Sequence, residues 1–84
     1  MRLVFTEQAW SDYLYWQKND RRMIRKINDL IKAVRREPFE GIGKPEPLKH
    51  QLQGLWSRRI DAENRLVYEV DDDELRIIAC RFHY

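Results

Sequence analysis

The chain has 84 residues, of which 16 are Lys or Arg and 14 are Asp or Glu, giving a formal net charge of +2. This length suits one domain, residues 1–84, with one small hydrophobic core. The single cysteine excludes an internal disulfide, and no apolar run approaches the roughly 20 residues of a membrane span. Because the N-terminus also lacks the apolar stretch of a signal peptide, we expect a cytoplasmic protein without membrane contact.

The first half of the chain predicts one strand followed by two helices. RLVFT, residues 2–6, has the apolar character of a short strand, and its final Thr6 is a typical helix N-cap. The helix that starts there ends near Asn19, and its amphipathic face is expected to consist of Trp10, Tyr13, Leu14 and Gln17. A second helix runs from Arg21 until Pro38 stops it, with an apolar stripe formed by Met23, Ile24, Ile27, Leu30, Ile31 and Val34.

The segment EPFEGIGKPEPLKH, residues 37–50, contains all three prolines and two of the three glycines. We expect no regular element here, because proline and glycine interrupt both helices and strands. A connection of this length is long for such a small domain, and long ordered loops are frequently functional.

The second half predicts a β-meander. GLWSRRID, NRLVYEV and LRIIACRFHY are β-rich runs separated by the short gaps AE and DDDE, which suit hairpins. With the first strand added, we expect an α+β domain in which two N-terminal helices pack on a twisted antiparallel sheet of about four strands. In this arrangement Arg59, Arg65, Arg81 and His83 all lie on strands. Cys80, within IIAC, is expected to be a small buried residue.

Cleavage of RNA without a metal requires three kinds of group, and the sequence has candidates for each. A base must take the proton of a 2′-hydroxyl, an acid must protonate the leaving 5′-oxygen, and fixed positive charge must stabilise the transition state. Glu46 is the candidate base, because Pro45 and Pro47 stiffen the backbone on either side of it. His83 is the candidate acid, because an unperturbed histidine titrates near pH ~6.5.

Four further residues are candidate contacts to a nucleic acid. Arg59 and Arg65 suit forked phosphate contacts, and Lys49 can support them. Tyr84 offers a ring on which a base can stack and a hydroxyl for a phosphate. No group of His, Cys, Asp and Glu has metal-ligand spacing, so we expect neither a metal nor a cofactor.

Each of these residues also has a simpler explanation. A loop glutamate is usually a solvated surface charge, and a histidine near a terminus is more often incidental than functional. The arginines of WSRRI also suit an exposed sheet edge that resists aggregation. The aromatic residues of the first helix fit core and interface positions better than a base-stacking platform. Spacing alone therefore indicates a small α+β domain with a weak signal for nucleic-acid binding.

Six sequence blocks together resemble the YoeB toxins of the RelE/ParE superfamily: YLYWQ, PFEGIG, KPEPLKH, WSRRI, RLVYEV and the terminal CRFHY. The resemblance covers essentially the whole chain. It implies a microbial-ribonuclease-like fold and a toxin that binds the ribosome and cuts mRNA in the A site. By the same resemblance, Glu46 is the general base, His83 the general acid and Arg65 the residue that steadies the phosphate. Tyr84 then lies at the site, with Arg59 and Lys49 near the substrate.

The resemblance also implies partners. These are the ribosome and mRNA, a YefM-like antitoxin that inhibits the toxin, a second copy of the chain in a homodimer, and operator DNA reached only through the antitoxin complex. One alternative stays open from the sequence, since ParE-like relatives share the fold without cutting RNA. On that hypothesis the chain is a non-catalytic binding module or a structural partner, and Glu46 and His83 are incidental.

Overall fold

Two helices cover one face of a five-stranded sheet in the computed structural model, which describes residues 1–82. His83 and Tyr84, the predicted acid and one predicted substrate contact, lie outside the described residues. The α+β class is confirmed. In chain order the elements are β1 (Arg2–Phe5), α1 (Glu7–Asn19), α2 (Arg21–Arg36), β2 (Glu46–Pro47), a 3-10 turn (His50–Leu52), β3 (Trp56–Arg59), β4 (Arg65–Val70) and β5 (Glu74–Ala79).

The strand order is β1-β5-β4-β3-β2, and the sheet is mixed. β3, β4 and β5 form the expected antiparallel meander. β1 instead pairs with β5 in parallel, with Arg2 opposite Glu74, so the expectation of an antiparallel sheet throughout is wrong at this edge. Strands joined by a tight turn must run antiparallel, but nearly the whole chain separates β1 from β5, and no turn fixes their relative direction.

The fifth strand is β2, at the opposite edge, where it pairs antiparallel with β3. The sequence predicts no regular element here and about four strands, and this two-residue strand corrects both expectations. Prolines flank and interrupt the segment, yet proline is tolerated in an edge strand, where one side of the backbone needs no ladder partner. Glu46 lies opposite Ser57 in this pairing, so β2 brings the predicted base to the sheet.

Side-chain caps define where the helices begin. The Thr6 hydroxyl accepts the backbone N–H of Ala9 at 3.0 Å, which confirms Thr6 as the N-cap of α1. The Asp20 carboxylate likewise accepts the N–H of Arg22 at 3.0 Å and begins α2. Within residues 1–82, no helix has the length and apolar character needed to cross a membrane.

The face that α1 turns inward differs from the expected one. Trp10 and Leu14 are 51% and 42% exposed, whereas Ala9 and Asp12 are buried. The small side chain of Ala9 lies wholly inside the core, and the Asp12 carboxylate accepts a buried backbone N–H from Cys80. A buried carboxylate breaks the apolar pattern on which the sequence prediction of this face depends.

The apolar stripe of α2 forms the centre of the core, as predicted. Met23, Ile27, Leu30, Ile31 and Val34 are buried, and Ile24 is half-buried at the margin. The sheet contributes alternate residues of β4 and β5 to the same cluster, so the helices and the sheet share one core. These sheet residues are Leu66, Tyr68, Leu75 and Ile77.

Candidate active site

The predicted base and the predicted phosphate-binding arginine are in direct contact. Arg65 Nη1 donates to Glu46 Oε1 at 2.7 Å and to the Ser57 hydroxyl at 3.1 Å. The two residues are 19 positions apart in the chain and meet because β2, β3 and β4 are adjacent strands. The Glu46 side chain is 54% exposed and that of Arg65 is 20% exposed, so the carboxylate is open to a ligand while the guanidinium is held.

Strand register places a third predicted residue beside this pair. Arg59 lies directly opposite Arg65 across β3 and β4, and directly opposite side chains project from the same face of a sheet. Two arginines in this position repel one another unless an anion lies between them. Glu46 neutralises Arg65 in part, whereas Arg59 is exposed and forms no ion pair within residues 1–82. The pair therefore forms a site that favours a bound anion.

Lys49, the other predicted basic contact, follows Glu46 by three residues in the chain. It is exposed, precedes the 3-10 turn, and its carbonyl accepts the backbone N–H of Leu52 at 3.1 Å. In the part of the chain that the structure describes, the Lys49 side chain makes no hydrogen bond with Glu46, Arg59 or Arg65. Its assignment as a substrate contact stays a prediction.

A buried arginine that the sequence analysis missed holds the loop before Glu46. Arg58 is fully buried on the core side of β3, where Nη2 donates to the carbonyls of Glu37 and Glu40 at 2.6 and 2.9 Å. Nη1 donates to the carbonyl of Ile42 at 3.2 Å, and Nε to the Tyr68 hydroxyl at 3.2 Å. The alternation of β3 could have revealed this residue, because it places Arg58 on the face opposite Arg59.

The C-terminal strand stops earlier than expected. β5 ends at Ala79, so the prediction that Arg81 lies on a strand is wrong. At the next residue, Cys80, the backbone hydrogen bonds are made with side chains of α1 instead of a neighbouring strand. The Asp12 carboxylate accepts the backbone N–H of Cys80 at 3.0 Å, and Trp16 Nε1 donates to the carbonyl of Cys80 at 2.8 Å. These bonds occupy the backbone groups that a continued strand would use for the ladder.

Phe82 is fixed from the other side by the β3–β4 connection. Its backbone N–H donates to Asn64 Oδ1 at 2.7 Å, and its carbonyl accepts the backbone N–H of Arg65 at 2.8 Å. Phe82 has φ of +63°, a left-handed conformation that is uncommon outside glycine and that its surroundings must stabilise. We call Asp12, Trp16 and Asn64 the C-terminal anchor, because they hold residues 80–82 beside Arg65.

Burial shifts the pKa values of two side chains in the core next to the candidate site, Cys80 and Tyr68. Burial, with a smaller contribution from the Asp12 carboxylate, raises the pKa of the Cys80 thiol to about 12. Cys80 is fully buried, as expected, and its thiol stays protonated and unreactive at neutral pH. Burial also raises the pKa of Tyr68, although its hydrogen bond with Arg58 acts in the opposite direction. Nowhere in residues 1–82 do three or more His, Cys, Asp or Glu side chains lie together as potential metal ligands.

Comparison with known proteins identifies the family. Residues 5–84 match the family described as YoeB-like toxin of bacterial type II toxin-antitoxin system. Toxin YoeB of Escherichia coli strain K12 is 64% identical over 84 residues, which cover all of both chains. The solved structure of a YoeB/ParE toxin from Agrobacterium tumefaciens has a TM-score of 0.97 at 56% identity, with full coverage of both chains.

Two solved structures from Staphylococcus aureus are also closely similar. One is a YoeB dimer, with a TM-score of 0.94, and the other is a heterotetrameric YoeB-YefM toxin-antitoxin complex, with a TM-score of 0.92. Each is 50% identical and covers 100% of this chain and 98% of the other. The fold is therefore that of the RelE/ParE toxins. The chain belongs to the YoeB-like toxins of bacterial type II toxin-antitoxin systems, which confirms the resemblance seen in its sequence blocks.

Proposed function

We propose that this toxin is a metal-independent endoribonuclease that cuts mRNA in the ribosomal A site and so stops translation. The observation that carries the proposal is the contact between Glu46 and Arg65, in which a half-exposed carboxylate lies beside a guanidinium that has a second arginine opposite it. A carboxylate beside fixed positive charge is what general-base attack on a phosphodiester requires. Toxicity through loss of translation follows from this activity.

The reaction is an in-line transfer within the RNA. Glu46 takes the proton of the 2′-hydroxyl, the 2′-oxygen forms a bond to phosphorus, and the bond from phosphorus to the 5′-oxygen breaks. His83 gives its proton to that leaving oxygen. The products are a 2′,3′-cyclic phosphate, which can open to a 3′ phosphate, and a 5′-hydroxyl. Every proton in this scheme moves between a named side chain and the substrate, so the scheme has no step for a metal.

The ion pair also suggests what the substrate does on arrival. A phosphate that binds Arg65 in a forked contact competes with Glu46 for the same guanidinium. Glu46 is the more exposed partner and is released toward the 2′-hydroxyl as the phosphate replaces it. Arg59, opposite Arg65, completes the positive charge around the transition state, with Lys49 in support. Tyr84 stacks on a base beside the scissile bond.

The proposed partners follow from the same family. The S. aureus relative is found with YefM and as a dimer, and we propose a YefM-like antitoxin and a homodimer for this chain. The exposed Trp10 and Leu14 on α1 are the apolar surface that supports a dimer. Contact with operator DNA is proposed only through the antitoxin complex.

The deciding experiment is single-turnover cleavage of mRNA on programmed ribosomes by wild type and Glu46→Gln. Since general acid-base catalysis contributes about 10²–10⁴-fold, the variant should lose at least 100-fold while keeping the wild-type thermal unfolding midpoint. Glu40→Gln is the matched control, because Glu40 is exposed in the same loop and its carbonyl, which Arg58 binds, is unchanged.

Two further readouts constrain the mechanism. Cleavage should persist in excess EDTA on ribosomes that stay assembled, and the downstream product should carry a 5′-hydroxyl. A 5′-phosphate, or full activity of Glu46→Gln, would overturn the proposed mechanism, whereas absence of cleavage by the folded wild type would favour a non-catalytic binding module.

A further inference from the structure

A buried serine hydroxyl lies beside the Glu46–Arg65 pair, and the proposed reaction does not use it. Ser57, on β3, is fully buried. Its hydroxyl accepts a hydrogen bond from Arg65 Nη1 at 3.1 Å, and within residues 1–82 this guanidinium is its one side-chain partner. Burying a hydroxyl is costly unless it is hydrogen-bonded, so the bond to Arg65 accounts for the presence of a polar group here. Because Ser57 is buried, any effect that it has on RNA must pass through Arg65.

The strand register explains why a residue of β3 reaches this guanidinium. β3 lies between β2 and β4, and Ser57 is directly opposite Glu46 on β2 and Val67 on β4. Directly opposite residues project from the same face of a sheet, and Arg65, two residues before Val67, shares that face. Arg65 therefore extends across β3 to reach Glu46, which brings Nη1 within hydrogen-bond distance of the Ser57 hydroxyl.

These two hydrogen bonds leave one edge of the guanidinium available. Both are made by Nη1, which donates to Glu46 Oε1 at 2.7 Å as well as to Ser57. Nη2 and Nε make no hydrogen bond within residues 1–82. Two neighbouring N–H groups of an arginine bind a phosphate through parallel hydrogen bonds. Ser57 thus holds Arg65 by a nitrogen that a forked phosphate contact does not need.

The two partners of Nη1 differ in how firmly they are held. Glu46 lies on a two-residue edge strand, and its side chain is 54% exposed. Ser57 lies on a strand that is paired on both sides, and it is wholly buried. When Glu46 turns toward the 2′-hydroxyl, the hydrogen bond to Ser57 can therefore persist. Without that bond, Arg65 can follow the carboxylate and withdraw its charge from the phosphate.

We propose that Ser57 is a positioning residue that holds the guanidinium of Arg65 in place when Glu46 leaves it. This inference rests on the proposed function, in which a phosphate replaces Glu46 at Arg65. A hydroxyl suits the task because it is a neutral acceptor and does not reduce the positive charge that stabilises the transition state. A second carboxylate at this position would compete with the phosphate for the same cation.

A role in packing alone predicts a different result for Ser57→Ala. Alanine keeps the Cβ atom of serine and lacks only the hydroxyl, so the change removes the hydrogen bond and leaves the packing of β3 nearly unaltered. The matched control is Ser11→Ala, which removes a hydroxyl from an exposed position of α1. Thermal melts followed by circular dichroism verify that both variants fold.

The first experiment measures the mobility of the Arg65 side chain by nitrogen NMR relaxation of its Nε–H group in the toxin without RNA. Glu46→Ala imitates the departure of the carboxylate. In this variant we expect the order parameter of Arg65 to stay well above that of Arg59, which is exposed and forms no ion pair within residues 1–82. Adding Ser57→Ala should lower it below about 0.6, where groups are flexible. Equal order parameters of Arg65 with and without the Ser57 hydroxyl would overturn the proposal.

The second experiment is single-turnover cleavage on programmed ribosomes over a range of ribosome concentrations, which separates the maximal rate from binding. Since a misplacement of about 1 Å can cost up to 100-fold in rate, we expect Ser57→Ala to lower the maximal rate by about 10- to 100-fold. The ribosome concentration at half the maximal rate should not change, and Ser11→Ala should match the wild type. A maximal rate of Ser57→Ala equal to that of Ser11→Ala, or a change confined to the half-maximal concentration, contradicts a positioning role.

The relaxation measurement needs no cleavage, so the two proposals fail separately. If the wild type does not cut mRNA but Arg65 still loses its order when Ser57→Ala is added to Glu46→Ala, Ser57 holds Arg65 and the proposed catalysis is wrong. If the wild type cuts mRNA and neither the order of Arg65 nor the maximal rate depends on Ser57, the positioning role is wrong and the proposed catalysis stands.

Discussion

Arg58 and Arg59 are neighbours in the chain and have opposite environments. Arg58 is fully buried and donates to three loop carbonyls and a tyrosine hydroxyl, whereas Arg59 is exposed opposite Arg65. The period of two along a strand is the cause, since consecutive side chains project to opposite faces. One arginine organises the loop that leads to Glu46, and the other is available to a ligand.

Replacing Arg58 with Lys should destabilise the protein sharply. A lysine ammonium is a compact charge that cannot reproduce the planar fork, so buried carbonyls lose their donors. Loss of charged hydrogen bonds costs about 2–3 kcal/mol, and for a domain of this size each kcal/mol lowers the melting temperature by roughly 4–8 °C. Thermal unfolding followed by circular dichroism measures this change. Arg59→Lys is the control for stability, and equal melting temperatures of the two variants would contradict the assigned role of Arg58.

Cys80 should be unreactive in the folded protein. Its pKa of about 12, raised by burial and by Asp12, leaves almost no thiolate at pH 8. Treatment with a thiol-specific disulfide reagent should give no colour until a denaturant is added, and one equivalent afterwards. Rapid reaction under native conditions would show that the segment around Cys80 opens readily.

At the scale of elements, residues 80–82 are held by helix α1 and the β3–β4 connection rather than by β5. Asp12 and Trp16 bind the backbone of Cys80, and Asn64 binds the backbone of Phe82. Asn64 is itself held by Asp61, whose carboxylate accepts its backbone N–H at 2.7 Å. The segment that precedes His83 is therefore positioned both by α1 and by the β3–β4 connection.

Asn64→Ala should lower cleavage more than it lowers stability. The change removes the acceptor of the Phe82 backbone N–H. We therefore expect the residues that follow Phe82 to be positioned less accurately for the reaction. A misplacement of about 1 Å can cost up to 100-fold in rate. We expect kcat on programmed ribosomes to fall by about 10- to 100-fold with the affinity for ribosomes unchanged. An equal kcat for variant and wild type would show that this part of the anchor does not act on the reaction.

Changes at the C-terminus should likewise lower cleavage more than they lower stability. Deleting Tyr84 moves the terminal carboxylate onto His83 and removes a ring and a hydroxyl, and we expect the variant to stay folded. General acid catalysis contributes about 10²–10⁴-fold, and His83→Gln should lose at least that contribution in single-turnover cleavage. Residues added after Tyr84 should also reduce the rate by crowding the site. If both the deletion and the extension cleave at the wild-type rate, the end of the chain is not part of the active site.

At the scale of the whole molecule, two arginines and two strand glutamates form ion pairs between neighbouring strands of the sheet. Arg2 of β1 binds Glu74 of β5 at 3.0 Å. Arg76 binds Glu74 as well as Glu69 of β4. The parallel edge of the sheet thus combines backbone pairing with ion pairs that depend on ionised carboxylates.

Stability should decrease in acid because the carboxylates of Glu74 and Asp61 bind protons less readily in the folded state than in the unfolded one. Hydrogen bonds from Arg2 and Arg76 lower the pKa of Glu74 from its ordinary 4.5. At Asp61, desolvation opposes the change, but hydrogen bonds from residues 63 and 64 lower the pKa from 3.8. A lowered folded-state pKa contributes stability that is present above the unfolded pKa and is lost as pH falls through the folded one.

The check is the urea midpoint measured between pH 7 and pH 3. We expect it to fall below about pH 4.5, and to fall less in Glu74→Gln, which has no proton to bind at that position. A midpoint that is flat to pH 3, or an unchanged pH dependence in the variant, would show that the Glu74 pairs contribute nothing to stability.

The sequence by itself determined those features that depend on interactions between residues close together in the chain. The Thr6 cap, the α2 stripe and the β3–β5 meander follow from side-chain oxygens, a helical period and short turns. The identity of the family followed from sequence blocks such as KPEPLKH and RLVYEV. Glu46 and Arg65 became candidate site residues through their side-chain chemistry, and the resemblance then assigned their roles. Their contact in the structure supports the choice without testing those roles.

Only the tertiary structure decided which distant groups meet. The sequence did not reveal that β1 runs parallel to β5, that β2 is a strand, that Arg58 is buried, or that Asp12 binds Cys80, which is 68 residues away. Strand direction and register depend on many weak contacts across the whole core, whereas periodicity reports only which face of an element is apolar. Asp12 is buried because the remote backbone N–H of Cys80 needs a hydrogen-bond partner. A polar residue of this kind breaks the apolar pattern, so its burial can be recognised only in the folded structure.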